Sequence, residues 1–217
     1  MKKAIIFDMD GVIVDTEIYY MQLMRKNLEE LNVSYDEALI HSFVGSNDAM
    51  ITKSLDELLK PQMSGEAFLT RVNNSLELTK EVYMSLKKEG LNETLTHFKK
   101  KGYKIALASS SPRELILKTL ELLEVKYYFD EISSGEEYEV SKPHPEIYLH
   151  TMEKLNLTKD ECVVIEDSKF GIEAAKAAGI YVIAIRDVEF GINQEEADVI
   201  VDTLKDIIKV VDDLERN

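Results

Sequence analysis

Near the N-terminus an apolar run, Ile5-Ile6-Phe7, feeds two carboxylates two residues apart, Asp8 and Asp10, and Gly11 follows at once. On a strand, residues i and i+2 point to one face, so these carboxylates start out crowded together. Two close carboxylates repel, and each is costly to desolvate. A divalent cation and a reacting phosphate would make sense of the arrangement. A strand running into a plain acidic turn would also produce it. A calcium loop fits poorly, because the EF-hand pattern sets its glycine at the sixth loop position, and Gly11 is fourth from Asp8.

Apolar runs of the same kind recur along the chain: Ala4–Phe7, Ile105–Ala108, Cys162–Ile165, Val182–Ile185 and Val199–Val201. They are too short for helices and rich in Val and Ile, so they read as buried strands of a parallel sheet. Helix-period segments lie between them. Ser111-Pro112 is expected to open one, with serine as N-cap and proline at the first helical position. Another runs through Ile172, Ala174, Ala175, Ala177 and Ala178 and stops at Gly179, a usual residue just past a helix end. The tail, 206–217, reads as a terminal helix with a charged face. Alternating strands and helices predict a doubly wound α/β fold with a Rossmann-like parallel-sheet core.

Residues 16–89 break the alternation and contain no convincing strand. Tyr20, Leu23, Met24, Leu28 and Leu31 lie on one helical face. Met50, Ile51, Leu55, Leu58 and Leu59 suggest a second helix. Phe68, Val72, Leu76, Val82, Tyr83 and Leu86 suggest a third, longer one. An α-helical unit over 16–89, inserted into a core of 1–15 and 90–217, would sit over the C-terminal end of the first strand. Ligands of open α/β sheets bind there.

With 217 residues, 45% of them hydrophobic, the chain is long enough for one sizeable domain or a core plus a smaller insert. Its net charge of −15 repels phosphate backbones and anionic lipid, so neither a nucleic acid nor a membrane is expected as partner. Cys162 is the single cysteine, set in an apolar run, and reads as a core residue. Met1-Lys2-Lys3 leads into only four apolar residues before Asp8, unlike a signal peptide. No apolar run reaches membrane-spanning length. A soluble cytoplasmic protein is expected, and nothing demands more than a monomer.

Three further features fall just beyond predicted strands or in loops. Ile105–Ala108 ends at Ser109-Ser110-Ser111, where a hydroxyl and backbone N–H groups leading into a helix make either an anion cradle or an ordinary cap. Ser141-Lys142-Pro143-His144-Pro145 holds one lysine in a stiff turn. Cys162–Ile165 runs into Glu166-Asp167-Ser168, a second acidic pair. A parallel sheet would bring all of these to one edge beside Asp8 and Asp10. Four carboxylates, a lysine, a serine cradle and a glycine turn supply the nucleophile, metal ligands, acid/base and charge neutralisation of phosphoryl transfer.

In this order, Asp8-Met9-Asp10-Gly11, Ser109, Lys142 and Glu166-Asp167 resemble the motifs of the haloacid dehalogenase superfamily, over essentially the whole chain. The insert resembles that superfamily's α-helical cap. Asp15-Thr16-Glu17 and Gly171-Ile172-Glu173-Ala174-Ala175 point to the subgroup of β-phosphoglucomutase and related sugar-phosphate phosphatases. The resemblance implies that Asp8 is the nucleophile and forms an aspartyl phosphate, and that Asp10 is general acid, then base. It implies Mg²⁺ bound by the Asp8 carboxylate, the Asp10 carbonyl and Asp167, with Glu166 a ligand or an acceptor for metal-bound water. Lys142, Ser109 and the Ser110 N–H would bind the phosphoryl group. Asp10 excludes the dehalogenase branch.

Two departures bear on the reaction. The β-phosphoglucomutase resemblance calls for a histidine where Tyr20 stands. It also calls for an arginine near Gly45-Ser46-Asn47, where Asn47 or Asp48 stands. The expected function is therefore a Mg²⁺-dependent phosphatase of a small sugar or polyol phosphate. The alternatives are β-phosphoglucomutase and, in a different class, a binding or regulatory protein without turnover. Tyr20, Ser46, Asn47 and Arg71 are the candidates for selecting the substrate.

Overall fold

The computed structural model describes residues 1–43, 48–76 and 79–216. They fall into two compact units. One is Met1–Asp15 with Thr79–Asn217, the other Thr16–Leu78. The sequence reading sets the second boundary at residue 89; the contacts set it eleven residues earlier (89 − 78).

The larger unit is a six-stranded, wholly parallel sheet. Its strands are β1 (Ala4–Phe7), β2 (Lys104–Ser109), β3 (Glu131–Ser134), β4 (Cys162–Glu166), β5 (Tyr181–Ile185) and β6 (Val199–Val201). Their order is β3-β2-β1-β4-β5-β6, which puts β1 at the centre between β2 and β4. The five predicted strands are all present. Alternate residues serve opposite faces. Ala4, Ile6, Ala106, Ala108, Val164 and Val182 pack with Tyr148, Met152, Ile172 and Ala175. Ile5, Phe7, Ile105 and Leu107 point the other way and are equally buried. Each such Ile, Leu or Phe contributes about 1.5–3 kcal/mol of burial, so both faces demand a helical layer.

That layer comes from α5 (Lys80–Leu86), α6 (Leu91–Lys100), α7 (Arg113–Leu122), α8 (Glu146–Leu155), α9 (Lys169–Ala177) and α10 (Leu204–Leu214), numbered after the four helices of the smaller unit. Gly179, at φ +74°, closes α9 as its sequence foretells.

The strand β3 has no counterpart in the sequence reading. It is an edge strand, paired only with β2, and its Glu-Ile-Ser-Ser sequence looks polar. Its serines are nevertheless buried, because Ser133 bonds the Thr151 hydroxyl at 2.8 Å and Ser134 Oγ donates to the Ser111 carbonyl at 2.7 Å.

The smaller unit holds α1 (Thr16–Glu30), α2 (Glu37–His41), α3 (Asp48–Leu59) and α4 (Gly65–Asn74) around Leu28, Ile40, Leu55, Phe68 and Val72. The long third helix expected from Phe68 to Leu86 is two helices. Ser64 caps the start of α4, and Ser75 closes it. Thr79, whose Oγ1 accepts the Val82 N–H, starts α5 afresh. Hydroxyl residues that favour caps over helix interiors outweigh the apolar period here, and α5 belongs to the larger unit. Among the described residues no helix is long and apolar enough to cross a membrane.

Candidate active site

Asp8 stands one residue past β1, at the C-terminal edge of the sheet, and its N–H still reaches the Ile165 carbonyl at 2.9 Å. The side chain is buried. Beyond it the chain turns at Gly11, whose N–H bonds the Val14 carbonyl at 2.8 Å. Gly11 is required on two grounds. Its φ is +74°, and a Cβ there would stand 1.8 Å from Asp167 Oδ2. The turn that follows Asp10 thus closes against the Asp167 carboxylate, in space that a side chain at residue 11 would fill.

Lys142 comes from the loop between β3 and α8. Its Nζ donates to Asp8 Oδ1 at 2.6 Å, Glu166 Oε1 at 2.7 Å and the Ala108 carbonyl at 3.2 Å. Three acceptors match the three hydrogens of an ammonium. Glu166, the last residue of β4, is wholly buried. Its Oε1 takes Lys142 and the Tyr148 hydroxyl, the latter at 2.8 Å. Its Oε2 takes the Asp167 N–H at 3.0 Å, the Ser168 N–H at 3.1 Å and the Ser168 Oγ at 3.0 Å. Ser168 in turn accepts the Gly171 N–H at 3.1 Å and so caps α9.

Charge follows from this wiring. Burial pushes the Asp8 carboxyl up to about 8, against the pull of Lys142 and with added repulsion from Glu166 and Asp10. Burial also works against a charged Lys142, but Asp8 and Glu166 outweigh it and hold the ammonium well above its usual range. Glu166 is held low, since Lys142 and the surrounding donors overcome its burial. Lys142 and Glu166 are therefore the fixed ion pair, and Asp8 is the group whose charge depends on what else enters the site.

Asp8, Glu166 and Asp167 each offer a carboxylate oxygen within 4.8 Å of the others. All are hard oxygen donors, the set that suits Mg²⁺, Ca²⁺ or Mn²⁺. Asp8 Oδ2 accepts no hydrogen bond from the described residues, which fits a ligand atom. Glu166 fits less well, because five donors already fill its oxygens.

Ser109 is buried at the end of β2, and its Oγ accepts the Ser111 N–H at 3.1 Å. Ser110 follows it, exposed. Ser111 is not the helix cap its sequence suggests. Helix α7 begins at Arg113 with Pro112 before it and no side-chain cap. The Ser111 hydroxyl donates instead to Asp10 Oδ2 at 3.1 Å.

Of the substrate-selecting candidates, Ser46 and Asn47 lie outside the described residues. Tyr20 is on α1. Arg71 is on α4, where its Nε bonds Asn27 Oδ1 at 2.8 Å and its guanidinium pairs with Glu30 at 2.7 Å, within the smaller unit.

Sequence reasoning missed two groups. Tyr148, on α8, carries a signal in retrospect, since a buried phenol needs a partner. Gln194, in a polar loop, carries none. Its Nε2 donates to the Asp167 carbonyl at 2.6 Å and the Ile185 carbonyl at 2.7 Å, and its Oε1 accepts the Asp187 N–H at 3.1 Å. It ties the ends of β4 and β5 together behind Asp167.

The sequence profile of the haloacid dehalogenase-like hydrolases matches residues 5–185. A phosphorylated carbohydrates phosphatase of Thermotoga maritima is 41% identical over 180 residues, 82% of either chain. Among solved structures, a Thermotoga maritima protein provisionally named a β-phosphoglucomutase superposes with a TM-score of 0.81 at 35% identity, over 98% of this chain and 99% of the other. The β-phosphoglucomutase of Clostridium difficile does so with a TM-score of 0.71 at 27% identity, over 98% and 96%.

Proposed function

This chain is an enzyme of the haloacid dehalogenase-like hydrolase family, a phosphohydrolase by type, and from that premise we propose a Mg²⁺-dependent phosphatase acting on a small sugar or polyol phosphate. The observation that carries the reading is the buried Asp8 carboxylate with the Lys142 ammonium 2.6 Å from it, at the strand edge shared with Asp10 and Asp167. A buried carboxylate in contact with a cation and crowded by like charges is suited to attack an electrophile that arrives with its own counter-charges.

In this mechanism an Asp8 oxygen attacks phosphorus. The Asp8 O–P bond forms, the ester P–O bond breaks, and Asp10 gives its proton to the departing alkoxide. Asp10, now a carboxylate, takes a proton from water, whose oxygen attacks the same phosphorus. The Asp8 O–P bond breaks and inorganic phosphate leaves. Ser111 holds Asp10 Oδ2 through both halves. Lys142, Ser109 and the Ser110 N–H neutralise and orient the phosphoryl oxygens. Bound by the carboxylates of Asp8 and Asp167 and the Asp10 carbonyl, Mg²⁺ would supply the remaining positive charge at the phosphoryl group. Glu166 anchors Lys142 rather than serving as a ligand.

The kinship with the Thermotoga phosphatase supports carbohydrate phosphates as the substrate class. The two β-phosphoglucomutase neighbours favour a second reading, isomerisation. Tyr20 in place of histidine and the lack of arginine at residues 46–48 weigh against it, because both leave the second phosphate of a bisphosphate intermediate less firmly held. The test is phosphate release from a panel of sugar and polyol phosphates, with Asp8→Asn as blank. Conversion of β-glucose 1-phosphate to glucose 6-phosphate is followed on the same preparation, with and without a bisphosphate activator. Hydrolysis of at least one ester should dominate. Isomerisation tenfold faster than hydrolysis of every ester would establish the mutase instead.

A further inference from the structure

The mechanism above gives no part to Tyr148, a large side chain of α8 with no exposed surface. Two contacts tie it to the site. Its hydroxyl donates to Glu166 Oε1 at 2.8 Å, the same oxygen that takes Lys142 Nζ at 2.7 Å. Its ring lies beneath that same ammonium, with Nζ 5.0 Å from the centroid, a cation–π distance. Glu166 itself cannot turn. Three donors hold Oε2, and Gly171 presses close on the carboxylate.

We infer that Tyr148 is a positioning residue for phosphoryl transfer, setting how the Lys142 charge is divided between Glu166 and Asp8. The inference rests on the phosphatase reading. Two donors on one carboxylate oxygen compete, since each draws off charge the other would use. With the phenol in place, Glu166 holds the ammonium less tightly, and Nζ keeps its 2.6 Å contact with Asp8. Without the phenol, Oε1 has only Lys142 to neutralise it. The ammonium shifts toward Glu166, away from Asp8 and from any phosphoryl group placed there. The ring face keeps Nζ on the side where both carboxylates can be reached. Phenylalanine would therefore preserve half of the device, and methionine, smaller but flexible enough to fill much of the space, neither part.

The test uses the full chain with Mg²⁺: wild type, Tyr148→Phe, Tyr148→Met and Asp8→Asn. Turnover is measured on p-nitrophenyl phosphate and on an alkyl phosphate ester. Affinity for inorganic phosphate is measured by calorimetry, and folding by circular dichroism. For Tyr148→Phe we expect kcat to fall roughly 10- to 100-fold, as for other groups that act behind a ligand. Because Lys142 serves the phosphoryl group and not the leaving oxygen, the fall should be equal for both esters, and phosphate should bind more weakly. Tyr148→Met should lose more. A folded Tyr148→Phe with wild-type kcat and wild-type phosphate affinity overturns the inference, as does a loss confined to the poor leaving group. If Tyr148→Phe does not fold, Tyr148→Met decides by the same readings. If wild type hydrolyses no ester, the phosphatase reading has failed, and phosphate calorimetry alone still judges Tyr148.

Discussion

Gly171 and the Glu166 carboxylate compete for one place: a Cβ on Gly171 would stand 1.7 Å from Glu166 Oε1 and 2.0 Å from its Cδ. The glycine lies inside α9, where alanine would ordinarily be favoured by about 1 kcal/mol. Here the sign should reverse. Glu166 is pinned by five donors, so it cannot yield without breaking bonds to Lys142, Tyr148 and the start of α9. Gly171→Ala is expected to lower the melting temperature and to cut turnover by roughly 10- to 100-fold, since Lys142 loses its anchor. Thermal unfolding and steady-state kinetics check this. A stabilised, fully active variant would show that Glu166 does not position the site.

Asp8→Asn should abolish phosphate release, because an amide cannot form the acyl phosphate, while the fold is kept. It should also change the pH dependence of stability in chelator. Burial raises the Asp8 carboxyl from 3.8 to about 8. Between those values the native state holds a proton that the unfolded chain has lost, so stability falls as pH rises. The contribution is fully present below the lower value and lost through the upper one. Wild type should therefore lose stability relative to Asp8→Asn from pH 4 to 9. Parallel melting curves across that range decide, and a relative gain with rising pH would contradict the burial of Asp8.

The parts of this fold legible in the sequence are those where a local pattern and the tertiary structure agree. Ala4–Phe7 and Cys162–Ile165 are buried on both faces, so their apolar runs are unbroken. The acidic pairs stand out because they interrupt those runs. Edge strand β3 escapes notice because its buried serines are satisfied by Thr151 and Ser111, partners remote in sequence. Ser111 is misread as a cap for the same reason: Asp10, 101 residues away, accepts its hydrogen bond. Tyr148 and Gln194 act through contacts 18 and 27 residues distant, and no periodicity encodes such pairings. The candidates Ser46 and Asn47 rest on sequence alone.

Asp10→Asn should leave metal binding largely intact, because the proposed ligand there is a backbone carbonyl. Loss of proton transfer should slow turnover by roughly 10²–10⁴-fold. The loss should be smaller for p-nitrophenyl phosphate, whose phenolate leaves unaided, than for alkyl phosphates, because the first substrate loses only the base step that both share. Ser111→Ala, which removes the hydrogen bond at 3.1 Å to Asp10 Oδ2, should show the same pattern more weakly. Equal losses across leaving groups would remove Asp10 from the acid role.

Metal removal offers the remaining prediction. Of the residues gathered at the site, Asp8, Asp10, Glu166 and Asp167 bring four carboxylates against the single ammonium of Lys142. An incoming phosphate monoester adds up to two further negative charges. Such an assembly closes only around a cation, so chelation should stop turnover and excess Mg²⁺ should restore it. Mg²⁺ should also raise the melting temperature of the resting protein, because it binds the gathered Asp8 and Asp167 carboxyls of the native state and not the unfolded chain, a rise that Asp8→Asn should diminish. Ca²⁺ should bind and protect against unfolding without supporting comparable turnover. Its bonds to oxygen run about 2.3–2.6 Å, against about 2.0–2.1 Å for Mg²⁺, and it gathers more ligands. An Asp8 oxygen held farther out, or held by both of its atoms, is poorly placed to attack phosphorus. Metal-free activity equal to that with Mg²⁺, or equal rates with both ions, would refute the carboxylate site as the seat of the cation.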